Sequence, residues 1–236
     1  MIFCTLSVGE EWSKKYSNDI DSISKNHKIY VYTDFPEYFP NCNIIEYKRN
    51  DFSYFEKLIL LFNIIDKYKE RVTYFDCDSV HIEQVQSILN GTHREFDNET
   101  IYSHKIFQYE DIPLKNLKKN PSYVALIEVY KQLGFKNVVC NYIHERITSV
   151  PYIPSKFNQL KDSIFKVQSI WEKTWSKGRK WEGYSGYELQ GHECNKWSEN
   201  GCGYGEGGAI SIFAKELKIN LVNSIIFRIF VLNIKT

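Results

Sequence analysis

The spacing of apolar and polar positions changes several times along this chain. Ile2–Leu6 (IFCTL) is a short, nearly continuous apolar run, which predicts a strand buried on both faces. Trp12, Tyr16, Ile20 and Ile23 then recur three and four residues apart, which predicts an amphipathic helix with those residues turned inward. Lys28–Thr33 (KIYVYT) reads as a second strand ending at Asp34, and Asn43–Tyr47 (NIIEY) as a third. Phe55, Leu58, Ile59, Phe62 and Ile65 make one apolar helix face, with Glu56, Asn63, Lys67 and Glu70 opposite. Ser53, with Glu56 three residues on, has the pattern of a capping box at that helix's start. Val72–Phe75 follows as a fourth strand.

Strands that alternate with helices argue for an α/β fold with a mostly parallel central sheet flanked by helices. In such sheets ligands bind beyond the carboxyl ends of the strands. The second half is less regular. Asn120-Pro121 starts a helix carried by Tyr123, Leu126, Ile127 and Tyr130 and stopped by Gly134. Lys136–Cys140 reads as a strand, and Phe157, Leu160, Ile164, Val167 and Trp171 as a helix face. Most of the chain's 12 glycines fall between Gly178 and Gly208, the mark of loops and close backbone approaches. Ala209, Ile210, Phe213, Ala214 and Leu217 form a last helix face before a strand at Asn220–Val222. With no repeat and no low-complexity linker, residues 1–236 read as a single domain.

Composition narrows the function classes. The chain is 43% hydrophobic and 25% charged, ordinary for a globular protein. A net charge of +1 offers no global field for nucleic acid, which is not expected as a partner. No apolar run approaches the roughly 20 residues that span a bilayer. The run SIIFRIFVLN is short and carries Arg228, so a buried strand is the better reading. Six cysteines behind an N-terminus without signal-peptide character suggest reduced thiols in a cytoplasmic setting.

The chemistry concentrates in RVTYFDCDSV, where an apolar strand ends in Asp76 and Asp78. Side chains at i and i+2 share a side while the chain stays extended, so the two carboxylates can converge. Converging carboxylates repel unless a cation or proton lies between them. Hard oxygen ligands suit Mg²⁺ or Mn²⁺, ions that share their coordination with phosphates. Solvated turn aspartates are the plainer alternative.

YFDCDSV, following two βα layers, resembles the DxD motif of the GT-A glycosyltransferases, enzymes that use nucleotide sugars. The likeness extends to IFCTL, to VYTD, to the EKL of the helix before DxD, and to YGEGGAISIFAKELKIN near the end. It covers most of the chain, with 1–80 as the nucleotide-binding half and 81–236 as the acceptor-binding half. The resemblance implies a metal-dependent transfer from a nucleoside-diphosphate sugar, UDP-linked by preference, to a glycan or glycoconjugate. It implies Mn²⁺ or Mg²⁺ held chiefly by Asp78, with Asp76 assisting and orienting the ribose. Thr5 and Leu6 would then lie beside the nucleobase, Asp34 near base or ribose, and Lys57 near the donor. A third metal ligand from the second half would be His192, in GYELQGHECNKW. Glu206, between glycines and ahead of the last helix, would be the general base or the group that positions the sugar; an N-terminal Glu can also simply favour the helix dipole. Trp181, Tyr184, Tyr187, Glu188 and Glu193 combine aromatic faces and carboxylates suited to an acceptor sugar.

Two rival readings stand beside this one. DCDSV also matches the DxDx(T/V) signature of haloacid-dehalogenase-type phosphatases, in which Asp76 would be a nucleophile and Asp78 a general acid, with Mg²⁺. That family carries its motif on the first strand, and Glu110-Asp111, the one adjacent acidic pair available downstream, follows no convincing strand. A non-catalytic nucleotide- or metal-binding module is the other. Cys140-x₃-His144 and His192-x-Cys194-x₇-Cys202 offer zinc-ligand types but lack paired C-x₂-C knuckles.

Overall fold

A computed structural model describes residues 2–48, 56–78, 97–108, 112–113, 131–138, 141–176, 210, 214 and 216–223. For 104–108, 112–113, 137–138, 141–146, 167, 171–176 and 223 it describes the backbone alone. Contacts divide the chain into two compact units. One is Met1–Lys105 with Glu145–Pro154 and Ile219–Thr236; the other is Ile106–His144 with Ser155–Lys218.

The strands are β1 (Ile2–Ser7), β2 (Lys28–Thr33), β3 (Asn43–Glu46), β4 (Val72–Phe75), β5 (Thr100–Gln108), β6 (Ile112–Pro113), β7 (Asn137–Val138), β8 (Asn141–Val150) and β9 (Asn220–Asn223). The helices are α1 (Glu10–Ser24), α2 (Glu56–Tyr68) and α3 (Phe157–Ser176), with a short 3₁₀ turn at Pro36–Tyr38. Seven strands form one sheet in the order β3-β2-β1-β4-β8-β5-β9, and β6 and β7 pair antiparallel. β1 runs parallel to β2 and β4, β2 to β3, and β5 to β9, while β4 and β8 are antiparallel. The protein is therefore a mixed α/β fold with a mostly parallel sheet flanked by helices.

The chain walks outward from β1 to β3 and then returns to lay β4 on the other side of β1. This reversal makes a topological switch point between β1 and β4, where open α/β sheets leave a crevice at the strands' carboxyl ends. Adjacent residues of β4 show that α1 and α2 cover opposite faces. Phe75 joins Phe3, Ile29, Val31 and Ile147 with Ile20 and Ile23 of α1, whereas the ring of Tyr74 faces Lys57 of α2. Each such buried aliphatic or aromatic side chain stabilises the fold by about 1.5–3 kcal/mol.

α1 buries the face its apolar residues mark except at Trp12, and adds two serines to it. Trp12 is 44% exposed, while Ser13 and Ser17 are buried with Ile20 and Ile23. Small hydroxyl side chains let the helix approach the strand ends closely. The Ser13 hydroxyl lies 3.2 Å from that of Ser7 and 3.3 Å from that of Thr33. Trp12 instead stacks on Tyr16 at 5.5 Å. Gly9 enters the helix at φ 92°, a conformation that a glycine tolerates without strain.

In the second unit, α3 carries the expected face, with Phe157, Leu160 and Ile164 buried. Ile210 and Ala214, four residues apart, are helical and buried. Lys131 and Gln132 are helical, and Gly134 at φ 83° closes that turn where a stop was expected. The helix start at Asn120-Pro121, the face from Tyr123 to Tyr130 and the Ser53 cap lie outside the described residues. Among the described residues no helix is long and apolar enough to cross a membrane.

Candidate functional site at the carboxyl ends of β1 and β4

Residues 76–78 follow β4 directly, at the switch point. The extended chain ends at Phe75, and Cys77 and Asp78 lie in a turn. The alternation that carries side chains i and i+2 to one side therefore stops before this pair, and their neighbours have to be read from the tertiary structure.

Asp76 meets α2. Its Oδ1 accepts from Lys57 Nζ at 2.9 Å and from the Tyr74 hydroxyl at 2.9 Å. Lys57 is 8% exposed, and its ammonium stands 5.7 Å from the centre of the Tyr74 ring. A lysine this deep needs a counter-charge, and Asp76 supplies one. Burial, followed by the field of Asp76, pushes the Tyr74 phenol well above its usual range, so it stays a hydrogen-bond donor. Glu56, beside Lys57 in the first turn of α2, is also buried.

Asp78 is half-buried in the turn. Its field is among the influences that raise Lys15 on α1, after the larger effect of Tyr16. Between the two aspartates, Cys77 is nearly buried; burial first, and both carboxylates next, push its thiol up to about 12. Cys77 is thus a neutral packing residue. Cys4, Cys42 and Cys77 are all free thiols.

The remaining donor-site candidates sit at the same end of the sheet or within it. Asp34 follows β2, and its Oδ1 accepts from the Gly9 N–H at 2.9 Å, latching the turn after β1 to the end of β2. Thr5 and Leu6 are interior residues of β1, both buried, and the Thr5 hydroxyl has no hydrogen-bond partner among the described residues. The structure thus brings Lys57 to Asp76, whereas Thr5 and Leu6 present no exposed side chain. Glu206, His192, Trp181, Tyr184, Tyr187, Glu188 and Glu193 lie outside the described residues, as do Glu110-Asp111, Cys140, Cys194, Cys202 and the His144 side chain. Among the described residues no group of three His, Cys, Asp or Glu side chains gathers as a metal would need.

The donor chemistry nevertheless fits a hard divalent cation. Asp78 offers a carboxylate, and the described contacts of Asp76 all fall on Oδ1, which leaves Oδ2 as its open acceptor. Among the described residues, Tyr74 is the member that sequence reasoning missed. Read as a strand aromatic, it carried no signal except its place two residues before Asp76.

Fold and site together define an α/β protein with a candidate ligand site at a topological switch point. No protein-family model and no curated protein matches the chain. Among solved structures it is similar to the apo form of mouse xyloside xylosyltransferase 1, with 6% sequence identity and a TM-score of 0.35, covering 94% of this chain and 84% of that one. A likeness this slight says nothing about the chemistry of the present chain.

Proposed function

We propose that this protein is a GT-A-type glycosyltransferase that moves a sugar from a nucleoside-diphosphate donor, a UDP-sugar by preference, to a glycan or glycoconjugate, with Mn²⁺ or Mg²⁺. The observation that carries the reading is Asp76 at the carboxyl end of β4, held on one oxygen by Lys57 and Tyr74 and open on the other. Asp78 would hold the cation chiefly, with Oδ2 of Asp76 meeting the cation or a ribose hydroxyl. Lys57 pairs with Asp76 and adds a positive charge where a diphosphate would lie. A bound divalent cation contributes Lewis-acid stabilisation of the charge that builds on the departing diphosphate. His192 would complete the ligand set, and Glu206 would accept the acceptor hydroxyl's proton or position the sugar.

A thermal-shift panel of UDP-, GDP- and CDP-sugars, with and without Mn²⁺, tests this directly, because a ligand specific to the folded state raises the melting temperature. The expected result is a Mn²⁺-dependent shift with one nucleotide. Asp78→Ala should abolish that shift, and unchanged UDP affinity in the variant would remove the site from donor binding. Glu206→Gln should leave donor binding intact and slow transfer by about 100-fold or more; full activity would remove Glu206 from the mechanism. Hydrolysis of p-nitrophenyl phosphate without any nucleotide response would favour the phosphatase reading instead.

A further inference from the structure

An aspartate carboxylate turns about χ2 in a broad, twofold well, so its two oxygens exchange roles unless donors hold one of them. At Asp76 two donors hold the same one: Lys57 Nζ and the Tyr74 hydroxyl each lie 2.9 Å from Oδ1. Tyr74 suits this task. It is 3% exposed, it is anchored in the middle of the sheet beside β1 and β8, and its hydroxyl donates because a carboxylate can only accept. Lys57 reaches the site on a long, flexible stem, whereas the phenol arrives on a rigid ring. The lysine therefore supplies charge, and the tyrosine supplies direction.

We propose that Tyr74 is a positioning residue: by holding Oδ1 it sets the rotation of the Asp76 carboxylate, so that Oδ2 is the oxygen presented to a nucleoside-diphosphate ligand and its cation. The assignment rests on the nucleotide-sugar reading of this site. It differs from a purely structural role, in which the hydrogen bond merely satisfies a buried phenol. A structural role would change stability and leave ligand affinity uncoupled from Asp76.

The test is a double-mutant cycle read by calorimetric titration of UDP in the presence of Mn²⁺, using wild type, Tyr74→Phe, Asp76→Ala and the double variant. Melting temperatures are recorded alongside. Tyr74→Phe should weaken UDP binding about 10-fold, in line with the loss of a group that orients a ligating carboxylate. In the Asp76→Ala background the same change should cost nothing further, because Tyr74 acts through Asp76. Wild-type affinity in Tyr74→Phe, or an equal loss in both backgrounds, would overturn the assignment while leaving the donor site standing. Absence of UDP binding by the wild-type protein would overturn the site reading itself, and Tyr74's role with it. Should Tyr74→Phe fail to fold, 3-fluorotyrosine placed at position 74 of the otherwise unchanged chain gives a second readout. Its fluorine resonance should shift on addition of UDP with Mg²⁺, and an unmoved resonance would overturn the proposal.

Discussion

Two cations flank β4, a half-buried arginine near one end and a buried lysine near the other, and they are used in opposite ways. Near the amino end, Arg71 spreads its guanidinium over main-chain oxygens. It donates to the carbonyls of Ser149 at 3.2 Å, Asp97 at 2.6 Å and Thr100 at 2.9 Å, and to the Ser149 hydroxyl at 3.3 Å. It also lies 5.3 Å from the centre of the Tyr102 ring. Near the carboxyl end, Lys57 brings its ammonium to Oδ1 of Asp76. The guanidinium is a rigid fork of donors, able to join several separate segments at once; the ammonium is a point charge on a flexible stem. Burial holds Arg71 down to about 10, still far above neutrality, so it remains a cation throughout the physiological range. The difference teaches where chemistry is available. The main-chain carbonyls are fixed in place by their own strands and turns, whereas a carboxylate held by one oxygen retains the other.

Perturbing each end should separate the two roles, and the largest effect belongs to Arg71. Arg71→Met removes a charged donor from three carbonyls and the Ser149 hydroxyl at once, and the expected loss is on the order of 3–5 kcal/mol of stability. Urea denaturation measures it, and Mn²⁺ should not restore it. Lys57→Met comes next. It leaves the Asp76 side chain, 18% exposed, without its counter-charge, which should cost about 2–3 kcal/mol. Here Mn²⁺ should recover part of the loss, because the cation can neutralise Asp76 in place of the ammonium. Equal responses of the two variants to Mn²⁺ would erase the contrast between the ends.

The smallest effect concerns acid. Asp97, in the turn that supplies a carbonyl to Arg71, accepts from Thr100 Oγ1 at 2.5 Å and from the Glu99 N–H at 2.7 Å. These bonds, Thr100 first, lower its pKa below the usual value near 3.8. The unfolded chain therefore takes up the proton more readily than the folded one. The resulting stability is present above about pH 4 and is lost as pH falls through the folded value. Asp97→Asn should flatten the acid limb of the stability curve below pH 4. Because Asp97 is exposed, the change should be slight, and a steepened limb would contradict the sign.

The first 76 residues were readable because their periods are clean: short apolar runs for β1, β2 and β4, and a strong face on α2. The readings failed where burial is polar. β5 and β8 bury Thr100, Ser103, Thr148 and Ser149, and no apolar alternation marks either strand. What admits such residues to a sheet interior is cross-strand bonding, such as Thr73 Oγ1 to Ser149 Oγ at 2.9 Å, and that requires knowing which strands are neighbours. The same cause hid part of the buried face of α1. Ser13 bonds to Ser7 of β1 and Thr33 of β2, so it faces inward, and Trp12 faces out. At the site, Asp76 stood out as a charge after an apolar run and Lys57 came only from the family resemblance, while Tyr74 looked like any strand aromatic.

Local order decided the strand–helix alternation of the first half and the placing of two carboxylates just past a buried strand, since side-chain period and burial are set by neighbours a few positions apart. Tertiary structure alone decided that β8 lies antiparallel against β4, that Lys57 rather than a more distant cation meets Asp76, and that Tyr74 shares the same oxygen. Those partnerships join residues through sheet register and helix packing across the fold, and spacing along the chain carries no record of which side chain will arrive opposite another.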